Sequence, residues 1–491
     1  MPEILTNNFN QDVNKLFIAD AKANDDYYMF VSSIGGIEPI DSATSQNEFL
    51  EKTLFAKKIR NQDINFMIKY YPWQRGVVYT EYDDKVDLDG LNFYAVVGPN
   101  DNDTDDYRVY KCLNNNEGVG SQAPPTFDAA NVNQIYETAD GYVWKYMYTI
   151  PTDDVLRFLS TNFLPINLAT ESTRSATVAA AIDGALEIAL VEEVGAGLPN
   201  GTHFAPVNGD GQLSGGSEAV VEIIVSGGAI TSTKVVQTGA GYTYGSVALT
   251  DGSTTGGIKT GLYSDSALTS ARTGVTGTGA VEIVIGPEGG HGGTMEAELN
   301  AKRVMTNIRL TYAEGSGDFP VDNDFRRIGI IKDPFSFGTT DFATLDTLNG
   351  LYAVKVTGAT ADYTSDEEIT QTLASGGTAK GTVVSWVLDS GSTTAGVLKY
   401  IQSPDLHTDT GVVRAFDDSA AIVGSSSLAS GTVDTGTTGS TLLGVSFTNG
   451  QGNPEIAQNS GDIIYVENRR LITRAPDQIE DIKLVIEFPP K

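Results

Sequence analysis

Asp140-Gly-Tyr-Val-Trp-Lys-Tyr-Met-Tyr-Thr-Ile-Pro151 is the stretch that decides the fold class. Tyr142, Trp144, Tyr146, Tyr148 and Ile150 alternate with Val143, Lys145, Met147 and Thr149. Successive strand residues point to opposite faces, so this period of two predicts a strand with one large aromatic face. Ile482, Leu484, Ile486 and Phe488 repeat the pattern near the C-terminus, with Lys483 and Glu487 on the other side. Gly461-Asp462 introduces a further strand through Ile463, Ile464, Tyr465 and Val466. Tyr110-Lys-Cys-Leu113 reads as another, with Cys112 a small buried thiol.

Helical patterns are few. Phe9, Val13, Leu16 and Phe17 share one face at 3.6-residue spacing and predict a short amphipathic helix. Ser45-Gln46-Asn47-Glu48 fits a capping box and predicts a second helix, with Leu50, Leu54, Phe55 and Ile59 on its apolar face. Lys57-Lys58-Ile59-Arg60 would end it. A third is expected from Thr152, where Asp153 and Asp154 suit the positive end of the helix dipole.

The chain has 491 residues, 40% hydrophobic and 19% charged, with 53 glycines. That length allows one large domain or two to three ordinary ones, and the glycine content favours β-structure with tight turns. Its 63 acidic residues against 32 basic ones give a net charge of −31. Such a surface repels phosphate backbones, so no nucleic-acid partner is expected. One cysteine excludes an intramolecular disulfide. Neither a signal-peptide layout nor a bilayer-length apolar run occurs, so no membrane anchor is expected and the chain should fold in a cytoplasm.

Composition shifts twice along the chain. From 172 to 297 it is dominated by Gly, Ser, Thr, Ala and Val, with only Arg174, Lys234, Lys259 and Arg272 basic. Val191–Gly201 echoes Val235–Gly245, with a Gly-Ala-Gly triplet in register. Gly184-Ala-Leu-Glu-Ile188, Ala219-Val-Val-Glu-Ile223 and Gly279-Ala-Val-Glu-Ile283 form a second recurrence. Similar strand-turn-strand units, with glycine supplying left-handed turns, account for both. A second turn-rich region runs from 337 to 454, where Val383–Leu388 and Gly396–Ile401 read as strands joined by Asp389–Ala395. The expected fold is mainly β: a layered β-sandwich core with a few short helices in loops, plus two inserted Gly-rich β-modules. The core comprises 1–171, 298–336 and 455–491; the inserts are 172–297 and 337–454.

Motifs for chemistry are absent. No Gly-Lys-Ser/Thr follows a glycine-rich turn, and Gly195-Ala-Gly197 and Gly239-Ala-Gly241 lack the spacing of a dinucleotide loop. His203, His291 and His407 are far apart in sequence, which gives no metal-ligand spacing. Asp101, Asp103 and Asp105 alternate as in a calcium loop, yet Asp106 stands where that loop needs glycine and Cys112 where it needs glutamate. No Gly-x-Ser-x-Gly elbow occurs. Catalytic residues, metal and cofactors are therefore expected to be none. Tyr70-Tyr-Pro-Trp-Gln-Arg-Gly76 is the densest aromatic cluster. It is either a turn that packs Trp73 under the sheet or an interface anchored by Trp73 and Arg75, residue types that dominate hot spots.

Taken together, several blocks resemble the baseplate wedge protein family encoded by gene eight of T-even-type contractile-tailed phages. They are Tyr110-Lys-Cys-Leu113, Asp140–Pro151, Phe325-Arg-Arg-Ile-Gly-Ile-Ile-Lys-Asp-Pro334, and Gly461-Asp-Ile-Ile-Tyr-Val-Glu-Asn-Arg469 with Asp477-Gln478 and the closing strand to Phe488. The similarity covers about 25–170, 298–336 and 455–491, in the family's order, and the two Gly-rich regions fall between blocks. The resemblance implies a non-catalytic structural subunit of the virion's tail baseplate, assembled in the host cytoplasm. It further implies a homodimer that contacts other wedge subunits and accommodates rearrangement on tail contraction. Arg469 and Arg470, at the end of the last block, join Trp73 and Arg75 as candidate interface residues. An alternative assigns the inserts to recognition of host-surface glycans or accessory tail proteins. Tyr242, Tyr244, Trp386 and Tyr400 are its candidate contacts, although aromatics in such strands more often belong to a core.

Overall fold

Among the described residues strands hold 46% and helices 9%, so the fold is mainly β, as the alternating aromatic segment predicts. The computed structural model describes residues 7–24, 26–33, 50–83, 85–99, 106–126, 135–166, 179–213, 217–311, 325–407, 411–469 and 479–487. They divide into two compact units. The first is drawn from Met1–Lys15, Asn65–Met305 and Val485–Lys491, and the second from Leu16–Ile64 and Thr306–Leu484. No helix among the described residues is long and apolar enough to cross a membrane.

The first unit contains an antiparallel sheet in the order Tyr94–Val97, Tyr107–Asn114, Val143–Ile150, Ile135–Glu137. Tyr110 lies opposite Tyr146, Lys111 opposite Lys145 and Cys112 opposite Trp144. Tyr110, Cys112, Trp144 and Tyr146 share a core with Trp73, Tyr79 and Tyr142. Tyr79 and Trp144 meet edge to face at 5.2 Å, a geometry that adds about 0.5–1.5 kcal/mol beyond burial. The Asp140 carboxylate pins the turn ahead of Val143. It accepts hydrogen bonds from the Thr138 and Ser121 hydroxyls and the Gln122 and Ala123 amides. The helix Thr152–Phe158 follows with Asp153 and Asp154 in its first turn, as expected.

The first insert, also within this unit, has two main sheets and a short two-stranded ribbon, Ser253–Thr255 with Ile258–Thr260. Leu186–Ala196 pairs with Thr278–Ile285, and a four-stranded sheet runs Ala229–Gln237, Val220–Ser226, Gly201–Gly209, Gly245–Val247. Leu186, Val207, Val221, Ile223, Ile230, Tyr242 and Ile283 form one core from both sheets. The Tyr242 hydroxyl donates to the Val207 carbonyl and accepts from the Ala219 amide, each at 3.1 Å. Both Gly-Ala-Gly triplets adopt the same conformation: Gly195, Gly197, Gly239 and Gly241 all have φ between 66° and 77°. At the base, Gly286 N–H donates to the Ala185 carbonyl at 2.8 Å, so the two ends of the insert meet.

The second unit is built on a five-stranded antiparallel sheet. Its order is Thr347–Asn349, Thr53–Lys58, Tyr27–Ser33, Phe325–Lys332, Asp462–Asn468. The second insert forms a closed barrel. Strand Tyr352–Thr357 pairs with Gly396–Ile401, followed in turn by Thr378–Leu388, Glu368–Thr372, Ile422–Gly424 and Ser430–Val433, which pairs back onto Val356 and Thr357. Val354, Val356, Ile369, Val383, Leu398, Tyr400 and Phe416 belong to its core. The strands predicted at Val383–Leu388 and Gly396–Ile401 are both present. A hairpin, Val445–Thr448 with Gln451–Gly452, makes a satellite core with Ala353 and Val397 through Val445 and Phe447. Glu455 N–H donates to the Asn349 carbonyl at 2.7 Å, closing this insert at its base too.

Two expectations require correction. The helix Asn7–Asn24 exists, yet its buried residues are Gln11, Asn14, Ile18 and Ala21, while Phe9 and Leu16 are 50% and 70% exposed. At 100° per residue the buried face is turned by roughly a third of a circle from the apolar face read in the sequence, so that Val13 and Phe17 are only half-buried, Phe17 meeting Tyr27 edge to face. Leu50 and Glu51 are helical as expected, but Leu54 and Phe55 lie in strand Thr53–Lys58, and Lys57-Lys58-Ile59-Arg60 ends that strand. Pairing on both edges, with Tyr27–Ser33 and Thr347–Asn349, overrides the helical spacing. Ser45–Glu48, Asp101, Asp103, Asp105, Arg174, Arg470, Asp477-Gln478 and Phe488 lie outside the described residues.

Gly195 tests the turn reading. A Cβ there would sit 1.6 Å from the Thr278 carbonyl oxygen, whereas Gly227 has a similar φ of 64° and nothing within 4 Å. Gly227→Ala should cost about 1–2 kcal/mol, the left-handed penalty alone. Gly195→Ala should lower the melting temperature at least twice as far in the same calorimetric comparison.

Candidate functional site

The strand Tyr107–Asn114 is buried on both faces: Tyr110 and Cys112 enter the aromatic core, and Lys111 points the other way. Lys111 and Lys145 occupy opposite positions on neighbouring strands. Directly opposed like charges destabilise a sheet unless an anion lies between them. Glu187, at the start of the first insert's Leu186–Ala196 strand, is that anion. Its Oε1 accepts from Lys111 Nζ at 3.2 Å, and its Oε2 accepts from Lys145 Nζ.

Glu298, in the short helix Met295–Glu298, completes the enclosure. Its Oε1 accepts from Lys111 Nζ at 2.6 Å and lies 2.8 Å from His291 Nδ1, while Oε2 accepts from Gly292 N–H at 2.8 Å. Lys111 Nζ also sits 3.8 Å from the centre of the Tyr82 ring, a cation–π contact. The side chains of Lys111 and Glu298 are wholly buried. Burial works to raise the Glu187 pKa, but the Lys111 and Lys145 charges overcome it and hold the carboxyl below the ordinary glutamate range. Burial is likewise overcome at Glu298, by His291 and Lys111. Lys111 is driven above its ordinary value, because the two carboxylates outweigh its burial, which favours the neutral amine.

Glu187, His291 and Glu298 each offer a ligand atom within 4.8 Å of the others, the spread of a metal site. Lys111 ammonium already occupies the position between the two carboxylates, and two ammonium groups balance two carboxylates. A divalent cation would add two uncompensated charges to a buried pocket, which is strongly unfavourable. The cluster is better described as an internal ion-pair lock between the sheet and the first insert. Sequence reading missed it because its members are dispersed from 111 to 298. Its one signal was the glutamate at the same place in each of the three recurring pentapeptides. Glu282, in the third, pairs with Lys85 at 3.1 Å.

The other singled-out residues are dispersed. Trp73 is 8% exposed, packs in the aromatic core, and donates its Nε1–H to Ser121 Oγ at 3.1 Å. Arg75 is exposed in the same turn. Arg469, in the other unit, pairs with Glu467. His203 and His407 are buried: His203 Nε2 lies 2.6 Å from the Pro199 carbonyl, and His407 Nε2 accepts from Lys380 N–H. Burial pushes the Cys112 thiol well up, with Glu81 adding to it, which removes thiolate character. Tyr242 and Tyr400 are core residues, Trp386 is half-buried with its Nε1–H on Asp362, and Tyr244 is exposed. Comparison with known proteins finds no matching family model and no matching curated protein.

Removing Lys111 leaves Glu187 and Glu298 short of a shared cation. Lys111→Met should therefore destabilise by about 3–5 kcal/mol in denaturant unfolding, and Lys111→Met with Glu298→Leu should recover much of that loss. The folded carboxyls titrate below the unfolded value of 4.5. Their contribution is present above that pH and is lost as the pH falls through the depressed folded values. Melting temperatures measured from pH 6 downwards to about pH 2 should fall for the natural protein, and fall less for Lys111→Met.

Proposed function

We propose that this chain is a non-catalytic structural subunit of the baseplate wedge of a contractile phage tail, acting as a homodimer that contacts other wedge subunits. The supporting observation is how the family-like blocks pair. Tyr110–Leu113 and Asp140–Pro151, 27 positions apart at their nearest, are neighbouring strands joined through Tyr110 and Tyr146. Phe325–Pro334 and Gly461–Arg469, more than a hundred positions apart, are likewise neighbours, with Arg327 opposite Asn468 and its Nε–H donating to the Asn468 side chain. Each pair belongs to one unit, and each insert returns to its own base. Similar blocks that converge on paired strands are what a shared framework with enlarged loops would produce.

A mechanical role also suits the ion-pair lock, whose carboxylates are spent on fixed partners. Conserving geometry under load, rather than moving protons, is the work such a cluster can do. Trp73 contributes to the core; Arg75 and Arg469 are the described candidates for contact with a neighbour.

Light scattering on the isolated protein should give about twice the 52.2 kDa chain mass, and a strict monomer across micromolar concentrations would count against the dimer. Antibody-gold labelling of purified contractile tails should place the chain at the baseplate. Its absence from purified tails, or labelling along the sheath, would overturn the assignment.

A further inference from the structure

The second unit carries a cleft of about 550 Å³ between the Val445–Thr448 hairpin and the segment that closes the second insert. Its lining is dominated by neutral polar side chains, among them Asn349, Thr448, Asn449, Gln451 and Asn453, with Glu455 the one charged group. Among the described residues no lysine or arginine lines it. A volume of this order is typical of small-molecule sites.

Several of these groups are held by contacts that leave another polar atom of the same side chain for a ligand. Glu455 Oε2 accepts from Asn349 N–H at 2.8 Å, which leaves Oε1. Gln451 Nε2 donates to the Phe416 carbonyl at 2.6 Å, which fixes the amide with Oε1 remaining as an acceptor. Asn449 is held in the left-handed region at φ 51° by its turn, and its backbone N–H donates to Thr438 Oγ1. The Asn449 and Asn453 amide nitrogens remain as donors, since those of Asn349 and Gln451 are spent on the Leu351 and Phe416 carbonyls, while the Gln451 and Glu455 oxygens supply acceptors. Hydroxyl groups, which both donate and accept, satisfy such a set; a phosphate or carboxylate would be repelled by Glu455, because the nearby Lys399 is already spent on that carboxylate and on the Leu443 carbonyl.

We propose that this cleft binds a neutral sugar ring of an oligosaccharide by its hydroxyl edge. The buried aromatic cores of the inserts take no part, and without a stacking platform the affinity expected is millimolar for one ring, strengthening with chain length. The proposal goes beyond the assembly role and does not rest on it: sugar binding can fail while the dimer and its place in the tail stand.

Saturation-transfer NMR on the full chain tests it with glucose, galactose, mannose, N-acetylglucosamine, their linear trisaccharides and sialic acid. Transfer is expected from at least one neutral sugar and its trisaccharide, with the trisaccharide displacing the single sugar, and none from sialic acid. Asn453→Ala and Glu455→Gln should weaken binding roughly tenfold, a change readily resolved in a titration. A readout needing no substitution is the methyl signal of Val445 in the cleft, which should shift on titration while that of Val383 in the barrel core does not. Absence of transfer from every neutral sugar, equal transfer from sialic acid, an unmoved Val445 signal, or unchanged affinity in folded variants would overturn the proposal.

Discussion

Lys111 and Lys145 face each other across adjacent strands, and that repulsion governs how the first unit is put together. A sheet that buries two ammonium groups side by side cannot close without anions. Both anions come from outside the sheet: Glu187 from the first strand of the insert and Glu298 from the short helix Met295–Glu298, where the chain leaves the insert. The insert is thus tied to the sheet near its start and at the point where the chain leaves it. Apolar packing alone would fix the contact without fixing its register. Charges that are costly when displaced specify one seating, at some expense in net stability relative to an apolar interface.

Carboxylates do similar work elsewhere in this acidic chain. Among the described acidic residues only Glu187, Glu298 and Glu367 are buried, and a few acids are recruited as multiple acceptors. Glu367 takes hydrogen bonds from the Thr364, Ser426 and Ser427 amides and from both serine hydroxyls. Burial would raise its pKa, and the Ser427 and neighbouring hydrogen bonds bring it down to about 2 instead. Asp140 plays the same part in the turn before the aromatic strand. In a fold rich in short strands and glycine turns, such acceptors organise loops that lack apolar contacts of their own.

How much could be read from the chain in advance follows from where each signal resides. The aromatic strand at 143–150 was legible because one face is uniformly large and the alternation spans eight residues. The Gly-Ala-Gly echo was legible because only glycine relieves a left-handed turn that crowds another backbone, as at Gly195. Thr53–Lys58 was misread as helix because Thr53, Leu54, Phe55 and Ala56 are all buried, so the period of two is erased. The inward side of the first helix escaped notice since it carries Gln11 and Asn14 rather than its largest apolar residues. Closure of the six-stranded barrel depends on Val356 meeting Val433, a pairing that no local pattern encodes. The ion-pair lock was invisible for the same reason, and its only trace was a repeated glutamate.

Each insert leaves and rejoins its unit through a single hydrogen-bonded neck, Ala185 with Gly286 and Asn349 with Glu455. A segment whose ends lie side by side can be lengthened, exchanged or deleted with little demand on the strands beneath it. The two necks differ in how freely they permit this. The barrel encloses its own core, so it behaves as a cassette that another self-contained module could replace. The first insert owns half of a buried charge balance, so any substitute grafted there must bring an acid to the place of Glu187. Evolutionary traffic in added modules should therefore be heavier at the second neck than at the first.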